Sequence, residues 1–362
     1  MPQHQNFCNV SLKHYHLNRS DILELIEFLS KQYQVYAPHK KGKKSYAFDE
    51  VKNSKLVELN YPRTIQPLKK FFIPPKEVLL KFNTNRNDYK PIEIETDPQL
   101  FFAVHSYDLE AIKRLDTSFI QGNAESNYLN RRKNAIFIGI NFIPDKTHFS
   151  SSVGIPIEQM EGFSLYIHAI AEDEFVIFIV DYTGLKIMTE FRPNELAVND
   201  SYDFPEVEFE TKLHYHYNRL PEVFEKSYHS PIWSEVAKKC LGCGTCNLLC
   251  PTCYCFEVQD EVELDIENGS RERRWDGCML NHFAEVAGGE NFRESLNQRT
   301  RHRLNRKFLY TSKDIDKSFC VGCGRCSAFC PAGINITDII NSLIRDRENQ
   351  RNRQQKNDLI SI

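Results

Sequence analysis

Apolar residues first recur at helical spacing at Ile22, Leu23, Ile26, Phe28 and Leu29, which predicts an amphipathic helix. Asp21 and Glu24 are spaced as a capping box and mark its start. Short apolar runs at 101–104 and 135–140 then predict strands. Runs at 163–170 and 175–180 flank the acidic turn 171–174 and predict a hairpin. The polar residues after Val104 lead into a predicted helix over 108–115, and residues 205–230, aromatic and charged, form a connection. From Pro231 the pattern changes to short helices between cysteine runs, with helices expected at 280–287 and 295–309. The polar stretch 345–357 has no apolar stripe and is expected to be a solvated helix end or disordered. These patterns define an α+β chain. A mixed α/β domain spans 1–230, a domain of short helices between cysteine runs 231–345 and a polar tail 346–362.

Composition narrows the function. The 362 residues are 41% hydrophobic and 26% charged, with a formal net charge of −3, which argues against a general nucleic-acid or membrane-surface binder. No window reaches the roughly 18 apolar residues of a membrane span. The N-terminal residues lack the pattern of a secretion signal, so a cytoplasmic protein is expected. Neither a GxGxxG nor a GxxxxGK[ST] loop occurs, which leaves dinucleotide binding by this chain unsupported.

Twelve cysteines carry the chemistry, and all but Cys8 follow residue 239. Such bunching in a chain of this type points to metal rather than to a disulfide scaffold. Cys240, Cys243, Cys246 and Cys250 precede Pro251, and Cys320, Cys323, Cys326 and Cys330 precede Pro331. Both runs have the spacing in which three thiolates hold one cubane and the fourth ligates the other. Cluster one is therefore expected on Cys240, Cys243, Cys246 and Cys330, and cluster two on Cys320, Cys323, Cys326 and Cys250. Gly242, Gly244, Gly322 and Gly324 give backbone amides room to approach the sulfurs. Zinc prefers separated CxxC pairs, so two [4Fe–4S] clusters are the expected cofactors. With helices between the runs, 231–345 is expected to be an α-helical ferredoxin-like domain attached to a docking domain, 1–230. Cys253, Cys255 and Cys278 remain. They are either a third metal site, such as another iron–sulfur cluster, or packing thiols beside the first two.

The basic run Arg299, Arg301, Arg303, Arg306 and Lys307 reads first as a solvated helix face, and otherwise as a patch that docks an acidic partner or tunes cluster potential. The pairs His14/His16 and His214/His216 lack a third ligand. No catalytic triad or carboxylate pair stands out, so no catalytic residue is assigned.

Cys250-Pro-Thr-Cys-Tyr-Cys-Phe-Glu-Val-Gln-Asp260, Arg271-Glu-Arg-Arg-Trp-Asp-Gly-Cys278, Ala287-Gly-Gly-Glu-Asn-Phe-Arg293 and Cys320-Val-Gly-Cys-Gly-Arg-Cys-Ser-Ala-Phe-Cys-Pro331 resemble one family. It is that of the β (iron–sulfur) subunits of cytosolic NAD(P)-linked nickel–iron hydrogenases, or sulfhydrogenases, to which the A subunit of anaerobic sulfite reductase is related. Weaker likeness lies at Tyr36-Ala-Pro38 and Asn60–Pro67. The resemblance implies a non-catalytic electron-transfer subunit of a hetero-oligomeric oxidoreductase. Its partners would be a flavin and NAD(P)-handling subunit and nickel–iron hydrogenase small and large subunits. The alternative is a subunit of a sulfite- or sulfur-reducing enzyme, beside sulfite-reductase subunits, with a third site at Cys253, Cys255 and Cys278. The family often carries further cysteines where this chain has Tyr107, Phe142, His148 and Ser150. Phe cannot ligate iron, so an N-terminal cluster is not expected here.

Overall fold

A computed structural model describes residues 13–360, with side chains described to 357; Cys8 lies outside them. Strands are β1 (His14–Leu17), β2 (Gln34–Gly42), β3 (Ser45–Glu50), β4 (Lys76–Asn83), β5 (Asp88–Pro91), β6 (Gln99–Val104), β7 (Ala135–Ile140), β8 (Leu165–Ala171), β9 (Glu174–Ile179), β10 (Phe256–Val262) and β11 (Asn268–Trp275). The larger sheet runs β1-β9-β8-β7-β6-β2-β3, parallel from β2 through β6 and β7 to β8 and antiparallel elsewhere. The principal helices are α1 (Arg19–Leu29), α2 (Ser106–Ile120), α3 (Ser126–Lys133), α4 (Tyr182–Phe191), α5 (Ile232–Lys239), α6 (Thr245–Leu248), α7 (Leu296–Asn305), α8 (Arg325–Ala328) and α9 (Ile336–Ile360).

Alternation along the strands decides which layer covers each face. Leu100 and Phe102 of β6 join Ile138 and Ile140 of β7 against Ile22, Leu25, Ile26 and Leu29 of α1 and Met188 of α4. Phe101, Phe137, Tyr166 and Phe178 point the other way, onto Leu109, Ile112 and Leu115 of α2 and Tyr128 of α3. A third core gathers Tyr107, Phe142 and Phe149 with Phe224, Trp233, Leu304, Phe308, Ile340 and Leu343. It draws residues from both sides of position 230. Roughly the first two and a half turns of the mixed-polarity α9 supply Ile336, Ile339, Ile340, Leu343 and Ile344 at i, i+3, i+4, i+7 and i+8, and from Arg345 to Asn357 the helix is polar.

The strands expected at 101–104 and 135–140, the 163–180 hairpin and the helix after Val104 are all present. The first helix starts differently. Its cap is Asn18, whose side chain accepts from Asp21 N at 3.0 Å while the Asp21 carboxylate accepts from Asn18 N at 2.9 Å. Asn18 thus takes the capping role given to Asp21, because its extended backbone precedes the first turn. Between the cysteine runs, the helix expected at 280–287 is a 3₁₀ turn, Asn281–Ala284, followed by a bridge between Glu285 and Asn291. That segment also holds a hairpin, β10–β11, which joins β4 and β5 in a second, antiparallel sheet of order β10-β11-β4-β5. The expected helix at 295–309 is present as α7, continued by a π-helical turn, Arg306–Tyr310.

Candidate metal centre

The two cysteine runs fold alike. In the first, Gly242 and Gly244 take φ of 66° and 72°; in the second, Gly322 and Gly324 take 65° and 70°. Each loop then enters a one-turn helix, α6 or α8, and the helix is followed by the fourth cysteine and its proline. Gly242 N donates toward Cys240 Sγ at 3.4 Å, and Gly322 N toward Cys320 Sγ at 3.5 Å. These are the N–H to sulfur bonds that cluster ligands receive. At Gly322 a side chain is barred twice over, by the left-handed backbone and by the Ser150 backbone, which a Cβ would meet at 2.5 Å.

Two cavities lie between the runs. One is lined by Cys240, Cys243 and Cys246 together with Cys326 and Cys330; the other by Cys320, Cys323 and Cys326 together with Cys250. Among the described residues no three His, Cys, Asp or Glu side chains are gathered closely enough to hold a single metal ion. The cysteines ring cavities instead. A thiolate donor set, amides turned toward sulfur and left-handed glycine loops all fit an iron–sulfur cluster.

The electrostatics fit it as well. Lys69, Arg303 and Lys307 are 2%, 6% and 5% exposed, and none has a carboxylate partner among the described residues. Arg303 lines both cavities, donates to Cys246 O at 3.0 Å and leaves its Nε without a partner. Lys307 donates to Thr252 Oγ1 at 2.7 Å, and Lys69 to Cys253 O at 3.0 Å. Arg299, Arg303 and Lys307, at i, i+4 and i+8, therefore do not form the solvated face that their sequence suggests. They are buried: Arg299 donates to Met279 O at 3.1 Å and Glu294 O at 3.3 Å, while Arg303 and Lys307 face the cysteine-lined cavities, where thiolates would supply their counter-charge. Burial pushes Cys246 up to about 12 and Cys323 up to about 11. Burial also opposes ionisation of Cys250, but the Lys307 and Arg303 charges bring that thiol below its ordinary value.

Behind the second run, Arg325 is fully buried. It makes a two-pronged pair with Asp108 of α2 at 2.7 Å per bond and donates to Thr64 O at 2.8 Å. This ties the second cysteine loop to the larger sheet. Tyr107, Phe142 and His148, three of the residues standing at the family's extra cysteine positions, meet as packed rings with centroids 5.0–5.6 Å apart. Ser150, the fourth, is buried beside Gly322. His14 is buried and His16 exposed, while His214 and His216 lie on the surface.

Paired glycine-turned cysteine loops, closed over buried cations, define an iron–sulfur protein. Residues 239–334 match the 4Fe-4S dicluster domain family. The chain is also 34% identical over 318 residues to sulfhydrogenase 2 subunit beta of Pyrococcus furiosus, covering 86% of this chain and 92% of that relative. It belongs to the sulfhydrogenase β-subunit family. No solved structure matches it. Among the described residues no helix is long and apolar enough to cross a membrane.

Proposed function

We propose that this chain is a relay subunit holding two [4Fe–4S] clusters, the first on Cys240, Cys243, Cys246 and Cys330 and the second on Cys320, Cys323, Cys326 and Cys250. The observation that carries this reading is that each cavity is lined by the first three cysteines of one run and the last of the other. When bound, a cubane supplies a one-electron couple. The chain's own part is to hold it, exclude water and set its charge environment. Leu304, Ile336 and Ile339 wall the first cavity, and Phe149, Val321 and Ile336 the second. Arg303 offers both cavities a buried positive charge, which favours the reduced, more negative state. Cys243 is exposed whereas Cys323 is buried, so the first cavity is the natural point of exchange with a partner.

In this reading the subunit assembles in a hydrogenase-type complex, between a flavin subunit that handles NAD(P)H and a nickel–iron hydrogenase small subunit. Replacing Cys323 by Ser tests it. NAD(P)H-linked turnover of the complex is expected to be abolished, while hydrogenase activity with an artificial dye persists and one EPR-active cubane is lost. Linked turnover at the wild-type rate would sink the relay.

A further inference from the structure

Cys253, Cys255 and Cys278 belong to neither run, yet the fold gathers them. The β10–β11 hairpin starts one residue after Cys255 and ends three before Cys278, with Phe256 paired to Trp275. Its antiparallel register returns the chain to its starting point, and Asp276 N donates to Cys255 O at 3.2 Å. All three thiols line one cavity of about 350 Å³. Cys253 and Cys278 are buried. Asn247 bridges them, with Nδ2 3.4 Å from Cys278 Sγ and 3.8 Å from Cys253 Sγ, and is itself fixed by accepting from Met279 N at 3.0 Å. An amide held so as to donate to two sulfurs favours their thiolate form, which is the form that ligates metal.

The second observation is independent. Arg303 and Lys307 also line this cavity, and Lys69 binds the Cys253 carbonyl from behind. Buried cations without a carboxylate are costly unless an anion lies beside them. The eight cysteines of the paired runs account for Arg303; Lys69 interacts most strongly with Cys253, and also with Cys250 and Cys255. Arg306, hydrogen-bonded to Tyr254, adds another positive charge to the wall, and His302 is the one imidazole there. The cavity therefore combines three soft sulfur donors with positive charge on its wall.

We propose that Cys253, Cys255 and Cys278 ligate a third iron–sulfur cluster of the four-iron type, leaving one iron without a cysteine ligand in a cavity that His302, Arg306 and Lys307 also line. Because this cavity shares Arg303 with both others and Thr252 and Lys307 with the second, the new centre adjoins the relay rather than standing apart from it.

Iron, acid-labile sulfide and zinc measured on the anaerobically purified full chain test the site. The wild type is expected to hold about twelve irons, and Cys253→Ser or Cys278→Ser about eight, with zinc absent. Should either buried variant fail to fold, the half-exposed Cys255→Ala gives the same reading by EPR and iron content. Mild oxidation should release one iron and produce a three-iron EPR signal that Cys278→Ser lacks. Iron unchanged in these variants, zinc in the site, or all three thiols alkylated in the iron-loaded chain would overturn the cluster; absence of the three-iron signal would overturn the open corner. Failure of the two-cluster reading is separable, since it would show as Cys243→Ser and Cys323→Ser leaving iron unchanged.

Discussion

At the scale of single residues, the cysteines were legible because cluster ligation demands one residue type at fixed spacing. Their counter-charges were not. Arg303 and Lys307 lie in a run of five basic residues, and nothing local separates those that turn inward from those, like Arg301, that stay partly exposed. Only the packed position of α7 decides it. Buried histidines were equally hidden. His168 of β8 is 3% exposed, its Nδ1 has no partner, and burial alone brings it down to about 4 from the ordinary 6.5. In acid the unfolded chain gains a proton that the folded chain refuses, so stability falls as pH drops from about 6.5 to about 4 and is unaffected above that window. The full penalty is on the order of 2 kcal/mol. His168→Phe is expected to flatten that part of the acid slope in urea titrations run across the window; a slope equal to the wild type's would show that another group sets it.

At the scale of elements, the larger sheet was readable because its strands are apolar and its hairpin has a charged turn. The smaller sheet was not. β10 and β11 read Phe-Glu-Val-Gln-Asp-Glu-Val and Asn-Gly-Ser-Arg-Glu-Arg-Arg-Trp, a polar pattern that resembles solvated loop. Its faces carry cross-strand ion pairs in place of apolar contacts, Arg271 with Asp260 at 2.7 Å and Arg274 with Glu261. The expected helix at 280–287 failed for a related reason, since Gly288 and Gly289 favour the turn that brings Glu285 back to Asn291. Glu77 of β4 is the pivot of this sheet. It is buried and takes Arg131 of α3 at 2.6 Å and Arg273 of β11 at 2.5 Å. Removing it leaves Arg131 without its carboxylate and Arg273 with only the longer contact to Glu125 at 3.5 Å. Glu77→Ala should therefore cost about 3–5 kcal/mol in chemical denaturation, against less than about 1 kcal/mol for the exposed pair member Asp260→Ala. Equal costs would mean that β4 does not anchor the hairpin.

At the scale of the whole molecule, one guanidinium faces every cysteine-lined cavity. A charge so placed acts on whatever is reduced there. Arg303→Gln should make the midpoint potentials of the bound clusters more negative together, by on the order of 50–100 mV. EPR-monitored redox titration reads this directly; a shift confined to one cluster would show that the side chain serves only one site. Few of these relations follow from the order of residues alone, because they join positions far apart in the chain. The crossing of the cysteine runs has a consequence for biosynthesis. Each cavity takes walls from the region of Cys240–Cys250 and from that of Cys320–Cys330. While the ribosome is still extending the stretch between them, neither cavity has its full set of thiols. Iron delivered early would find half-built sites, so loading has to wait until the second run has emerged, and whatever delivers the metal must recognise a chain in which both runs are already folded together.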